Sequence, residues 1–103
     1  MKNSLKISKI MDIETMKKLV GIVAKDYPIK KIILFGSRAN NTNRPDSDID
    51  LIVEFTAPVS LLTLSKLHIR LENLFNLNVD IVHGPLQPSD LLEVDKEIEL
   101  YVA

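Results

Sequence analysis

Apolar residues recur along this chain at two spacings. From Asp12 to about Asp26, the positions Ile13, Met16, Leu19, Val20 and Val23 return every three or four residues, the period of a helix that lays one face on a core. Asp12 stands where an N-cap belongs, Pro28 closes the segment, and Gly21 weakens its interior. Leu61, Leu64, Leu67, Leu71 and Leu74 repeat the same period and predict a second amphipathic helix over about 60–76, capped by Ser60. The other apolar stretches are shorter. "KIILF" (31–35) reads as a buried strand running into Gly36. Residues 48–55 alternate, with Asp48, Asp50, Ile52 and Glu54 on one face and Ile49, Leu51, Val53 and Phe55 on the other. "NVDIVH" (78–83) reads as a third strand.

The polar stretches separate these elements. Residues 37–41 allow one helical turn, and "NNTNRPDS" is a loop rich in turn formers. Beyond Pro85 and Pro88, "SDLLEVDKEI" predicts a short helix and "ELYV" a last strand or extended tail. Residues 1–11 are a polar lead-in, and 12–103 make one domain with the order α-β-(turn)-β-α-β-α-(β).

Composition narrows the function classes. At 103 residues, 46% apolar and 26% charged, the chain has room for one folded core. Thirteen basic side chains against 14 acidic ones give no basic excess, so direct nucleic-acid binding is not expected. Cysteine is absent, which removes disulfide scaffolds and thiolate zinc sites. The start "MKNSLKISKI" lacks a signal-peptide core, and no apolar run approaches the ~20 residues of a membrane span. A cytoplasmic protein is expected.

The acids of the second strand change the picture. Asp48 and Asp50 lie two apart, so they share a face with Cα atoms roughly 6.5 Å apart. Asp80 sits in the middle of the third strand. If that strand pairs beside the second, three carboxylates converge. Two carboxylates about 4 Å apart repel by ~4 kcal/mol at an effective dielectric near 20, so either one pKa rises or a hard cation neutralises them. Oxygen-only donors select magnesium, manganese or calcium, and such ions serve phosphoryl or nucleotidyl transfer. Gly36 permits close backbone approach, and Ser37 at the start of a turn offers N–H groups and a hydroxyl to a phosphate. Arg38 and Arg44 are nearby cations.

Other readings of the same residues compete. The acids could be one solvated sheet face. An EF-hand fails, because its sixth and twelfth positions are Leu51 and Ala57. A P-loop lacks its Lys-Ser/Thr, and a serine hydrolase lacks G-x-S-x-G. His68 reads as a helix-flank residue, His83 as a strand-end surface residue, and the leucine stripe as core or partner-facing surface.

"GSRA", then "SDIDLIV" after a ten-residue spacer, then "VDIV" after one helix, resembles the minimal nucleotidyltransferases of the DNA polymerase β-like superfamily, especially the MNT proteins paired with HEPN toxins. The resemblance covers roughly 12–103. It implies an α+β fold, a small mixed sheet with helices packed on it, in which the two motif strands form an antiparallel hairpin and the Asp80 strand lies beside the second. It also implies ATP as substrate and Mg2+, with Mn2+ as substitute, held by Asp48, Asp50 and Asp80 as catalytic and metal-binding residues. Gly36, Ser37 and Arg38 would bind the nucleotide. The activity implied is transfer of AMP to a tyrosine hydroxyl of a HEPN-domain toxin, in a hetero-oligomer, with this chain as antitoxin.

Two alternatives stay open at this point: an antitoxin that inhibits by contact alone, and a catalytic subunit acting on a small molecule such as an aminoglycoside. Larger nucleotidyltransferases carry a second domain for the acceptor, so a chain of this size is expected to receive its acceptor from another molecule. Many relatives continue "GSRARG" where this chain has Asn40-Asn41. The exchange removes a cation, whereas Asn tolerates the left-handed backbone of a glycine turn.

Overall fold

The structure, a computed structural model, describes residues 12–85 and 96–103. Among these residues the elements follow in the order α1 (Ile13–Ala24), β1 (Ile29–Phe35), β2 (Ile49–Phe55), α2 (Leu61–Phe75), β3 (Val79–His83) and β4 (Ile98–Val102). Both helices start where the sequence places a cap. The Asp12 carboxylate accepts the Thr15 N–H at 2.8 Å, and the Ser60 hydroxyl accepts the Thr63 N–H at 3.1 Å, each satisfying an amide that has no partner inside the helix. Helix α1 ends at Ala24, earlier than Pro28 requires. Helix α2 ends at Asn76, whose φ of 56° is the left-handed turn that terminates many helices.

The sheet order is β3-β2-β1-β4. Strands β1 and β2 are antiparallel, with Leu34 opposite Leu51 and Phe35 opposite Asp50. Strand β3 runs parallel to β2, with Ile49 opposite Val79 and Asp50 opposite Asp80, because α2 carries the chain back before it re-enters the sheet. Strand β4 pairs antiparallel with β1. The mixed sheet, the β1–β2 hairpin and the flanking Asp80 strand agree with the expected fold.

One face of the sheet is the core. Ile32, Leu34, Ile49, Leu51, Val53 and Val79 pack there against Met16, Val20 and Val23 of α1 and Leu67, Leu71 and Phe75 of α2, all buried. Alternation then sends Asp50, Ile52 and Asp80 to the opposite face. Ile52 is nonetheless buried, because the chain crosses it at Gly84, where a Cβ would lie 2.7 Å from Ile52 Cγ2.

Strand β1 begins two residues before the predicted start. Ile29 is 3% exposed and pairs with Phe55, a core contact that the Lys30-Lys31 pair disguises in sequence. The short helix predicted over 89–98 lies mostly outside the described residues; at its end Lys96 and Glu97 are not helical and Ile98 already belongs to β4. Among the described residues no helix is long and apolar enough to cross a membrane.

Candidate active site

The β1–β2 connection builds the site. Strand β1 ends at Phe35, and Gly36 turns the chain with φ +76°, a conformation that disfavours any side chain. A helical turn follows: the Asn40 N–H donates to Gly36 O at 3.0 Å and the Thr42 N–H to Ser37 O at 2.9 Å. Asn41 closes the turn at φ 59°, the left-handed conformation that its amide side chain tolerates. The polar loop then delivers Asp48 to the start of β2.

The loop is pinned from within. Arg38, 6% exposed, is the buried charged side chain among the described residues. Its Nε and Nη2 donate to Ser47 O at 3.2 and 3.0 Å, and Nη2 also donates to Pro45 O at 3.2 Å. Burial lowers its pKa. A residue expected to bind nucleotide therefore spends its guanidinium on the carbonyls next to Asp48, with little surface left for a ligand. Arg44 lies in the exposed loop, its N–H donating to Ser47 Oγ at 2.7 Å.

Asp50 is the centre of the carboxylates. In parallel register its side chain shares a face with that of Asp80. It is half-buried, whereas Asp48 and Asp80 are exposed. Burial raises the Asp50 pKa first, then the charge and hydrogen bond of Asp80, then the charge of Asp48. Gly36 abuts the same carboxylate: a Cβ there would stand 2.2 Å from Asp50 Oδ2. Within the protein, the missing side chain of Gly36 leaves room for the Asp50 carboxylate.

Among the described residues no three acidic or histidine side chains close into a ready-made metal cage. Magnesium needs less, since one or two carboxylates beside substrate phosphates hold it. The donor set fits such an ion. It is all oxygen and of one charge, and the neighbours of Asp50 resist its ionisation, a conflict that a hard cation relieves.

The histidines lie apart. His83 ends β3 and stacks on Phe55, with ring centroids 5.3 Å apart. His68, on α2, turns toward the start of β3, with Nε2 2.5 Å from Val79 O. Sequence reasoning left it on a helix flank. Its i,i+4 partner Glu72 on the helix that precedes the Asp80 strand was the available signal.

Three comparisons bear on this arrangement. The family model described as "Nucleotidyltransferase domain" matches residues 16–101. A Methanocaldococcus jannaschii protein, provisionally named a protein adenylyltransferase, is 35% identical over 69 residues, which are 67% of this chain and 70% of its own length. A solved structure provisionally named a minimal nucleotidyltransferase is 34% identical, with a TM-score of 0.63 over 78% of this chain and 86% of the other. A complex of tri-AMPylated Shewanella oneidensis HEPN toxin with its MNT antitoxin shares the fold at 18% identity, with a TM-score of 0.65 over 89% of this chain and 74% of the other.

Proposed function

The chain belongs to the nucleotidyltransferase domain family, and from that premise we propose that it transfers AMP from ATP to a tyrosine hydroxyl of a HEPN-domain toxin and so acts as its antitoxin. The observation that carries this reading is the register of Asp50 against Asp80, with Asp48 just before β2 and near enough for its charge to raise the Asp50 pKa. It is the carboxylate cluster that a nucleotidyl transfer requires, next to a glycine-serine turn. The adenylyltransferase name of the M. jannaschii relative and the AMP-bearing toxin of the fold neighbour favour AMP and a protein acceptor.

Each residue then has a task. The turn at Gly36-Ser37 seats the triphosphate on backbone N–H groups and a hydroxyl. Asp48 and Asp50, with Asp80 beside them, would hold Mg2+, which when bound offsets phosphate charge and lowers the pKa of a coordinated oxygen. Asp80 accepts the proton of the incoming hydroxyl, provided the acceptor comes within hydrogen-bond reach. The hydroxyl oxygen bonds to the α-phosphorus, the bond to the β-phosphate bridge breaks, and pyrophosphate leaves.

The test is mass spectrometry of a co-expressed HEPN partner. Wild-type chain adds AMP to the partner, and Asp50→Asn leaves it unmodified while keeping a native circular dichroism spectrum. A partner that is inhibited but unmodified by the wild type points to inhibition by contact. Turnover of a small hydroxyl compound without the partner points to the third reading.

A further inference from the structure

Among the described residues strand β3 is an edge of the sheet, and an edge strand ordinarily holds half of its backbone groups open to solvent. Val79, the residue before Asp80, is an exception. Its N–H donates to Glu72 Oε2 at 3.0 Å, and its carbonyl accepts from His68 Nε2 at 2.5 Å. A carbonyl only accepts, so Nε2 carries the hydrogen. The two side chains also meet each other, His68 Nε2 lying 3.3 Å from Glu72 Oε2. Helix α2 thus offers Val79 the donor and acceptor that a fifth strand would supply. On the inner side, Asn78 O accepts the Ile49 N–H at 2.9 Å, which ties the adjacent residue to β2. The backbone leading into Asp80 is held from both sides.

We propose that His68 and Glu72 are positioning residues that fix the backbone at Val79 and thereby hold the Asp80 carboxylate beside Asp50. The inference rests on the catalytic reading of Asp80 given above. Protection of an edge against aggregation would be served anywhere along β3, yet both bonds fall on the residue next to Asp80. That strand is also short, five residues from Val79 to His83, so Asp80 lies one residue from its first position. Without the clamp the first peptide units of β3 would be held from the β2 side alone, and the acid would sit less firmly beside its neighbour on the well-buried β2. Small displacements of this kind weaken proton transfer more than nucleotide binding, because the triphosphate is seated by the turn on the other side of β2.

The experiment compares His68→Ala, His68→Gln and Asp80→Asn, using radiolabelled ATP, Mg2+ and the co-expressed HEPN partner, with amide hydrogen exchange as a second readout. His68→Ala is expected to lower turnover at saturating ATP by roughly 10–100-fold with an unchanged KM for ATP. It should also speed exchange at Val79–Ile81 while β1 stays protected. His68→Gln, which keeps an N–H at similar reach, should recover most of the turnover and the protection. Wild-type turnover in His68→Ala, or a loss shared equally with KM and with protection of β1, overturns the proposal. So does a His68→Gln that behaves like His68→Ala. If Asp80→Asn itself turns over normally, the catalytic reading falls and the proposal falls with it. An inactive Asp80→Asn beside a fully active His68→Ala removes the positioning role alone.

Discussion

Gly36 and the carboxylate of Asp50 touch across the end of the β1–β2 hairpin. A methyl group at position 36 would stand 2.2 Å from Asp50 Oδ2, closer than unbonded atoms allow. The turn and the acid therefore depend on one another. The glycine supplies the φ of +76° that leads from β1 into the Ser37 turn, and its missing side chain is the space that Asp50 occupies. Gly36→Ala should lose both. The left-handed backbone alone costs about 1–2 kcal/mol, read in urea denaturation, and the displaced Asp50 should cut AMP transfer by about 100-fold. A variant that loses stability but keeps turnover would show that Asp50 can move without consequence.

The electrostatics of Asp50 give a pH signature. Burial, then Asp80, then Asp48 raise its pKa in the folded protein above the ordinary 3.8. The folded state therefore binds this proton more tightly than the unfolded chain. Stability contributed by the proton is full below 3.8, declines as pH rises through the raised folded value, and is absent above it. In metal-free buffer, Asp50→Asn should flatten that slope and melt at or above the wild-type temperature at pH 7, while losing AMP transfer. Added magnesium chloride should raise the Tm of the wild type more than that of the variant. Thermal melts from pH 4 to 8, with and without the salt, test both parts.

Arg38 should behave as a structural residue. Its donors are given to Pro45 and Ser47 carbonyls, and truncation leaves those acceptors without a partner beside a buried void. Arg38→Ala should cost about 2–3 kcal/mol, and Arg38→Lys should recover little, since an ammonium lacks the planar fork that reaches two carbonyls. KM for ATP is the discriminating quantity. A variant with intact stability and a raised KM would return Arg38 to the phosphate role that its place after Gly-Ser suggests.

The anchoring of Arg38 marks where sequence reading stops. The shared facing of Asp50 and Asp80 was legible because period-two alternation fixes which strand residues share a face, and Leu51 and Val53 show which face is core. The caps at Asp12 and Ser60 were legible because their chemistry is local. The loop contacts of Arg38 were not legible, because its partners lie seven and nine residues away in a loop with no periodicity. Ile29 was missed for a related reason: its burial depends on pairing with Phe55, not on its charged neighbours. The contacts of His68 with Val79 join a helix to a strand across a turn, and a helical wheel gives only the side from which His68 points. Local rules reached the acids; tertiary contacts decide what holds them in place.

The Asn40-Asn41 pair separates shape from charge in the same turn. Asn41 holds φ at 59°, so the left-handed turn expected of a glycine forms here, and position 40 carries no cation. Asn41→Gly should then leave Tm and KM for ATP almost unchanged, whereas Asn41→Val should destabilise by about 1–2 kcal/mol, because a β-branched side chain resists the left-handed region. Asn40→Arg should restore a positive charge next to the triphosphate seat. An added interaction of about 1 kcal/mol lowers KM for ATP roughly fivefold, and the gain should shrink in 0.5 M salt, since an exposed charge is screened. If Asn40→Arg leaves KM where it is while Asn41→Gly lowers it, backbone shape rather than charge limits nucleotide binding in this chain.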